Sequence, residues 1–258
     1  MLHTAKLTRI IACIAGCAIS TLGIGAANAQ GGASAQATEP RAVLELFTSQ
    51  GCSSCPPADA LFETYANRKD VIALSMPVDY WDYLGWKDTL ASPKFSARQK
   101  SYAKHRGDGR VYTPQVVVNG TAHVVGNNSQ LIDGAIAAGE AQLSSARVPV
   151  RLSLDGGKLV IETGAAPPGS TAKEATVWLV MLRRKTTIKI EKGENHGKSI
   201  TYHNVVREMN PIGVWSGVAA RHEIKRDALA ERDNETCVVL LQVGKVGPII
   251  GAAKLEGL

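Results

Sequence analysis

The chain has 258 residues, an apolar fraction of 45% and few aromatics, which suffices for two packed cores of usual size. The formal charge is +6 and the sequence pI is near 9.1, yet no run of five or more Lys/Arg occurs. So dispersed an excess excludes the concentrated basic footprint of a nucleic-acid binder, and no nucleic-acid partner is expected.

The N-terminus reads as an export signal. "MLHTAKLTR" carries Lys6 and Arg9, "IIACIAGCAISTLGIGA" is apolar and small, and Ala27 and Ala29 flank Asn28. A charged region, an apolar region and an A-x-A site predict cleavage after Ala29. The apolar run is short for a span of ~20 residues and rich in Gly and Ala, so no membrane span is expected in the mature chain. An alternative reads "IAGC", residues 14–17, as a lipoprotein box that leaves a lipid-anchored Cys17, although the residues after Cys17 stay apolar. Cleavage removes Lys6 and Arg9, lowering the formal charge from +6 to +4, and leaves Cys52, Cys55 and Cys237. These would lie in the periplasm or outside the cell, where disulfides persist. Their odd number leaves one thiol unpaired within the chain.

Residues 30–40 are small and polar, a flexible leader. "RAVLELF", 41–47, predicts a buried strand, and "TSQGCSSC" the loop after it. "PPADALFETYANR", 56–68, predicts a helix whose first turn tolerates the prolines. "VIALSMPV", 71–78, predicts a second buried strand, followed by the aromatic loop "DYWDYLGWKDTLA". "SPKFSARQKSYAKHR", 92–106, predicts a helix, and 111–126 a hairpin turning at Asn119-Gly120. Residues 128–143 predict a closing helix. From about 148, β-branched alternating segments such as "VPVRLSL", "KLVIETG", "EATVWLVMLRR", "TTIKIEK", "SITYHNVVRE" and "TCVVLLQVG" predict a mostly β sandwich or barrel.

The fold expected is therefore α/β over 41–145, with the strand–helix order of a thioredoxin-like domain, then an all-β domain over 148–258. The boundary falls near 144–147.

A C-x-x-C pair at a helix start has a chemical logic. Backbone N–H groups of Cys52, Ser53, Ser54 and Cys55 and the helix dipole would favour a thiolate at Cys52. Cys55 would resolve a mixed disulfide. Thioredoxin-like proteins place a cis-proline before a late strand, beside the disulfide. Thr113–Pro114 stands at that position, and cis is accessible to an X-Pro bond.

Together "LELFTSQGCSSCPPADALF", "VDYWDYLGWKD", "SPKFSARQKSY", "VYTPQVVVNG" and "GENHGKSITYHNVV" resemble the bacterial secreted family known as domain of unknown function DUF1223. The resemblance covers most of the chain after residue 40. It implies a thioredoxin-like first half with Cys52 and Cys55 as the redox motif, and it implies no substrate. The chain departs from the family at Pro77, where an aromatic or His often precedes "VDYW".

Asp79, Tyr80, Trp81, Asp82 and Trp86 make an aromatic loop. It reads either as a groove wall, with Asp79 tuning proton transfer at Cys55 and Trp81 contacting substrate, or as a packing cluster. Glu194, Asn195, His196, His203 and Asn204 could hold a metal but lack a tight ligand spacing, and a polar hairpin is the plainer reading. His105 and His123 are isolated, expected at the surface or in a strand. Cys237 opens an apolar strand and is expected buried and inert, with intermolecular pairing as the alternative.

The leading function is an exported thiol–disulfide oxidoreductase acting on protein or small-thiol disulfides. Cys52 and Cys55 would be its catalytic pair, and Thr113 and Pro114 would seat the substrate. It would need no cofactor and have an intermediate potential within about −120 to −270 mV. Two rivals remain. One is copper(I) held by the two thiolates, against which the two-residue spacing argues. The other is a partner-binding module braced by a static disulfide. The sequence leaves the direction of exchange, the ligand of the β half and the oligomeric state open.

Overall fold

The computed structural model describes residues 39–229 and 236–257. The expected signal segment, the Cys17 alternative and nearly all of the leader lie outside them.

Strand β1, Ala42–Thr48, is buried along its whole length, as a strand covered on both faces must be. The cysteine loop leads into α1, Pro56–Ala66, whose first two positions are proline. Strand β2, Val71–Pro77, is also buried throughout. After the aromatic loop, with one helical turn at Asp82–Leu84, comes α2, Pro93–Arg106. Ser92 caps it, its Oγ accepting from the Lys94 N–H at 3.3 Å. Strands β3, Gln115–Val118, and β4, Ala122–Val125, form the expected hairpin, but residues 111–114 stay outside its ladder. Asn119 and Gly120 turn it with φ of 50° and 71°. Any Cβ at Gly120 would lie 2.3 Å from the Gly247 carbonyl, so the turn admits only glycine. Helix α3, Ser129–Leu143, is capped by Asn128, whose Oδ1 accepts from the Leu131 N–H at 3.1 Å.

Beyond α3 the chain is strand-rich: β5 Val150–Asp155, β6 Lys158–Thr163, β7 Ala175–Lys189, β8 Ser199–Trp215, β9 Ala220–Lys225, β10 Thr236–Gln242 and β11 Ile249–Glu256. Two expectations change here. "EATVWLVMLRR" and "TTIKIEK" form one strand, β7, because an equally long antiparallel partner satisfies its backbone from Ala175↔Trp215 to Lys189↔Ser199. That partner, β8, runs past "SITYHNVVRE" to Trp215, and bulges at Val177/Trp178 and Met181/Leu182 absorb the added twist.

The result is a mixed α/β fold dominated by an eight-stranded sheet, ordered β11-β10-β7-β8-β2-β1-β3-β4. β1 pairs parallel with β2 and antiparallel with β3. The sheet passes from the first half of the chain to the second at β2–β8, which pair parallel at Ser75↔Val205. There Ser75 Oγ donates to His203 O at 2.8 Å. Four strands of the second half thus extend the first half's sheet. The other three form a small sheet, β5-β6-β9. It shares a core with the β7–β10–β11 face, including Leu152, Ile161, Met181, Trp215 and Leu241, so the second half has the two-layer packing of a sandwich.

Strand alternation assigns the remaining faces. Leu44 and Leu46 pack with Phe62, Tyr65, Ile132 and Ile136 under α1 and α3. Val43 and Phe47 pack with Phe95 and Tyr102 of α2 on the other side. Glu45 also points to that side and is fully buried. It meets Arg98 Nε at 2.6 Å and accepts from Tyr102 Oη at 2.5 Å. Arg98 and Tyr102 also bond Gln242 of β10, at 2.9 and 2.8 Å. No described helix is long and apolar enough to cross a membrane.

Candidate functional site

The end of β1 delivers residues 49–55 as two successive tight turns. The Cys52 N–H donates to Ser49 O and the Cys55 N–H to Cys52 O, both at 3.2 Å. Two of the four N–H groups expected to face the sulfur are therefore consumed by the loop's own closure. Gly51 permits the loop's fit against the aromatic segment, since a Cβ there would lie 3.1 Å from both Cβ and O of Trp81. Cys52 and Cys55 are joined as a disulfide with Cα atoms 5.5 Å apart. Cys52 is 3% exposed and Cys55 is fully buried, whereas Ser53 and Ser54 between them are exposed.

Thr113 faces the pair. Its Oγ1 donates to Cys52 Sγ at 3.2 Å, and its carbonyl oxygen lies 3.8 Å from the same sulfur. The Thr113–Pro114 bond is cis. Trp81 Nε1 donates to Thr113 Oγ1 at 2.8 Å. Ser54 Oγ lies 3.3 Å from Cys52 Sγ and donates to Thr113 O at 3.4 Å, covering the sulfur from the solvent side. Thus Thr113 meets Cys52 directly, Trp81 reaches it through the Thr113 hydroxyl, and Pro114 follows Thr113 across the cis bond. Asp79 is engaged elsewhere: it accepts a short bond of 2.5 Å from Ser96 Oγ of α2, and no bond links it to either cysteine.

A second ring of polar groups holds the loop from below. The Gln50 N–H donates to Asp88 Oδ2 at 2.7 Å, and Trp86 Nε1 donates to Gln50 Oε1 at 2.8 Å. Burial pushes the Asp88 carboxyl up to about 6, against the pull of the N–H groups of Gln50 and Leu90. Asn195, in the hairpin between β7 and β8, donates from Nδ2 to the carbonyls of Gln50 and Cys52, each at 2.9 Å. Lys198 Nζ donates to Asn195 Oδ1 at 2.9 Å. Asn195 is thus a loop clamp. The signal for it was the "GENHGKS" segment, but nothing local in that segment names its target.

His203 and Glu63 line a groove of about 440 Å³ beside Pro56, between α1 and β8. His203 Nε2 is 3.6 Å from Glu63 Oε1, and burial lowers the imidazole pKa against the attraction of that carboxylate. Among the described residues no cluster of three or more His, Cys, Asp or Glu gathers to hold a metal. His105 is exposed, and His123 lies in β4 between Tyr112 and Asp108. Cys237 is buried, and burial raises its thiol pKa to about 12.

Sequence reasoning also passed over Asp59. It lies on α1 one turn after Cys55, is 2% exposed, and accepts from Thr48 Oγ1 at 2.7 Å. The signal available was an acidic residue on the apolar face that Phe62 and Tyr65 define.

Two solved structures resemble the chain. Protein AGR_C_4864 from Agrobacterium tumefaciens is 34% identical, with a TM-score of 0.75 over 86% of this chain and 96% of its own. HBP35 of Porphyromonas gingivalis shares the fold alone, at 13% identity and a TM-score of 0.58, over 84% of this chain and 75% of its own. A search of curated proteins gave no significant match. The family model for proteins of unknown function DUF1223 matches residues 43–242, a span that holds the cysteine loop, the Thr113 contact and the Asn195 clamp, and the chain belongs to that family.

Proposed function

We propose that the chain is an exported thiol–disulfide oxidoreductase built on a thioredoxin-like first half. The order β1-α1-β2-α2-β3-β4-α3 supports that reading of the fold. So do the parallel β1–β2 pair, the antiparallel β1–β3 and β3–β4 pairs, and helices on both faces. Export rests on the residue 1–29 pattern and agrees with an oxidised pair.

The observation that carries the redox reading is the meeting of Cys52 Sγ with the hydroxyl and carbonyl of Thr113. A peptide or small thiol that displaces Ser54 Oγ from Thr113 O gains a backbone acceptor beside the sulfur it attacks. In the exchange, a substrate thiolate bonds Cys52 Sγ and the electron pair of the broken bond leaves on Cys55 Sγ. A second substrate thiolate then takes the substrate sulfur and expels Cys52 as thiolate. The substrate dithiol is oxidised and the cysteine pair reduced, and the reverse sequence reduces a substrate disulfide.

A static bridge is the second reading, favoured by the burial of both sulfurs. One titration separates the two. The mature protein is equilibrated in glutathione buffers, alkylated, and each cysteine read by mass. A potential between about −120 and −270 mV is expected, with Cys237 unlabelled throughout. A pair that stays oxidised below about −300 mV is a structural bridge and ends the redox reading.

A further inference from the structure

Helix α2 packs on the sheet face where β7 and β8 set Trp178 opposite Pro211 and Val180 opposite Met209. Val180 is buried in the core beneath α2, whereas Trp178, Met209 and Val246 are only partly covered. These three side chains help to wall a cleft of about 390 Å³ between α2, the β7–β8 ribbon and the turn that joins β10 to β11. Its volume and its apolar walls are those of a small-molecule site. It lies on the α2 side of the sheet, and none of its lining residues belongs to the cysteine loop.

The charged residues that line the cleft are all cations: Lys94, Arg98 and Lys245. Lys94 and Arg98 stand four residues apart on α2, and so on one helix face. Arg98 Nη1 donates to the Lys245 carbonyl at 3.3 Å, which brings the third residue beside them. Lys94 and Lys245 are exposed, and neither has an ion-pair partner among the described residues. Arg98 is 8% exposed and already neutralised by Glu45 through Nε. Its Nη2 hydrogens go to Tyr102 Oη and Gln242 Oε1, at 2.7 and 2.9 Å. Nη1 carries two hydrogens, and the bond to Lys245 O uses one. One N–H of a buried guanidinium is therefore unspent at the cleft wall, with its Cζ 5.6 Å from the centre of the Trp178 ring.

We propose that this cleft binds a small carboxylate with an apolar body, of the size of a medium-chain fatty acid. The body lies against Trp178, Met209 and Val246. The carboxylate accepts from the free Arg98 Nη1 hydrogen, a charge-assisted bond, and is flanked by the ammoniums of Lys94 and Lys245. A neutral molecule of the same shape fills the walls but leaves the two ammoniums without a counter-charge. A wholly polar anion meets the cations but leaves the apolar walls wet. No carboxylate side chain lines the cleft to repel the ligand. The proposal is independent of the redox reading.

The test is isothermal titration of the mature protein with octanoate and, separately, with octanamide, its uncharged counterpart. Octanoate is expected to bind saturably, one molecule per chain, and about tenfold more tightly than octanamide. Lys94→Gln combined with Lys245→Gln is expected to weaken octanoate about tenfold and to leave octanamide unchanged. Both lysines are exposed, so the double variant keeps its stability to urea. Lys69→Gln combined with Lys173→Gln removes the same charge from outside the cleft and is expected to change neither ligand. Absence of saturable octanoate binding overturns the proposal. So does equal affinity for the two ligands, which makes the cleft apolar surface only. An equal loss in both double variants also overturns it, since the attraction is then that of the whole chain's charge.

Discussion

Trp81 donates from its indole nitrogen to Thr113 Oγ1 at 2.8 Å, so the Thr113 hydroxyl is left with its own hydrogen to give, and it gives it to Cys52 Sγ. The indole therefore fixes which way the hydroxyl points. In the disulfide the sulfur is a weak acceptor; in a thiolate the same bond is charge-assisted and stronger.

Thr113→Val should accordingly destabilise the Cys52 thiolate. The expected rise in its pKa is about one unit, the equivalent of one hydrogen bond to a charged group. Trp81→Phe keeps the hydroxyl but frees its rotor, and a smaller rise is expected. Ultraviolet thiolate absorbance followed against pH in the reduced protein checks both. An unmoved Thr113→Val titration would remove Thr113 from the proposed site.

Asn195→Ala leaves the carbonyls of Gln50 and Cys52 without their shared donor in a buried loop. The expected loss is about 2 kcal/mol of unfolding free energy, read from urea denaturation. Lys198→Ala removes only an exposed ammonium from Asn195 Oδ1 and should cost under about 1 kcal/mol.

Asp88 gives stability a pH dependence whose sign runs against the usual carboxylate. Its folded pKa is about 6, raised first by burial, above the unfolded value near 4. Between these values the folded chain holds a proton that the unfolded chain has released. Stability from this group is therefore full below about pH 4 and falls as pH rises to about 6. Paired urea titrations of wild type and Asp88→Asn should show the wild type losing on the order of 2 kcal/mol relative to the variant across that window. Parallel curves would mean that Asp88 titrates normally.

Arg98→Met removes the cation from a buried pair and leaves Glu45 beneath α2 with Tyr102 as its remaining donor. A loss of about 3–5 kcal/mol is expected, measured by urea unfolding. Combining it with Glu45→Gln should cost much less than the sum of the two single changes, because the second change removes the stranded charge.

The local structure was legible where a local rule governs it. Ser92 and Asn128 announce their helices by capping chemistry, Asn119-Gly120 announces its turn, Cys52 and Cys55 lie in the loop between the first strand and its helix, and Thr113-Pro114 stands just before a late strand, as their local patterns lead one to expect. What stayed hidden depends on partners far away in the chain. The junction at Ser75↔Val205 joins strands 130 residues apart, and no pattern within either strand specifies it. The clamp from Asn195 was visible only as polarity. Asp59 was hidden for the opposite reason: one acid in an amphipathic helix looks like a solvated residue until burial places it under the loop.

The β7–β8 ribbon has a mechanical consequence. Fifteen residues of β7 at roughly 3.3 Å each span on the order of 50 Å, hydrogen-bonded along their length to β8. At one end Ala175 and Trp215 are sealed into the core shared with the small sheet, and at the other the hairpin tip supplies the amide that grips the cysteine loop. A paired ribbon of this kind resists bending in its own plane and acts as a single beam. The far sheet is thus tied to the backbone of Gln50 and Cys52 through this ribbon and the loop of residues 190–198 that carries Asn195.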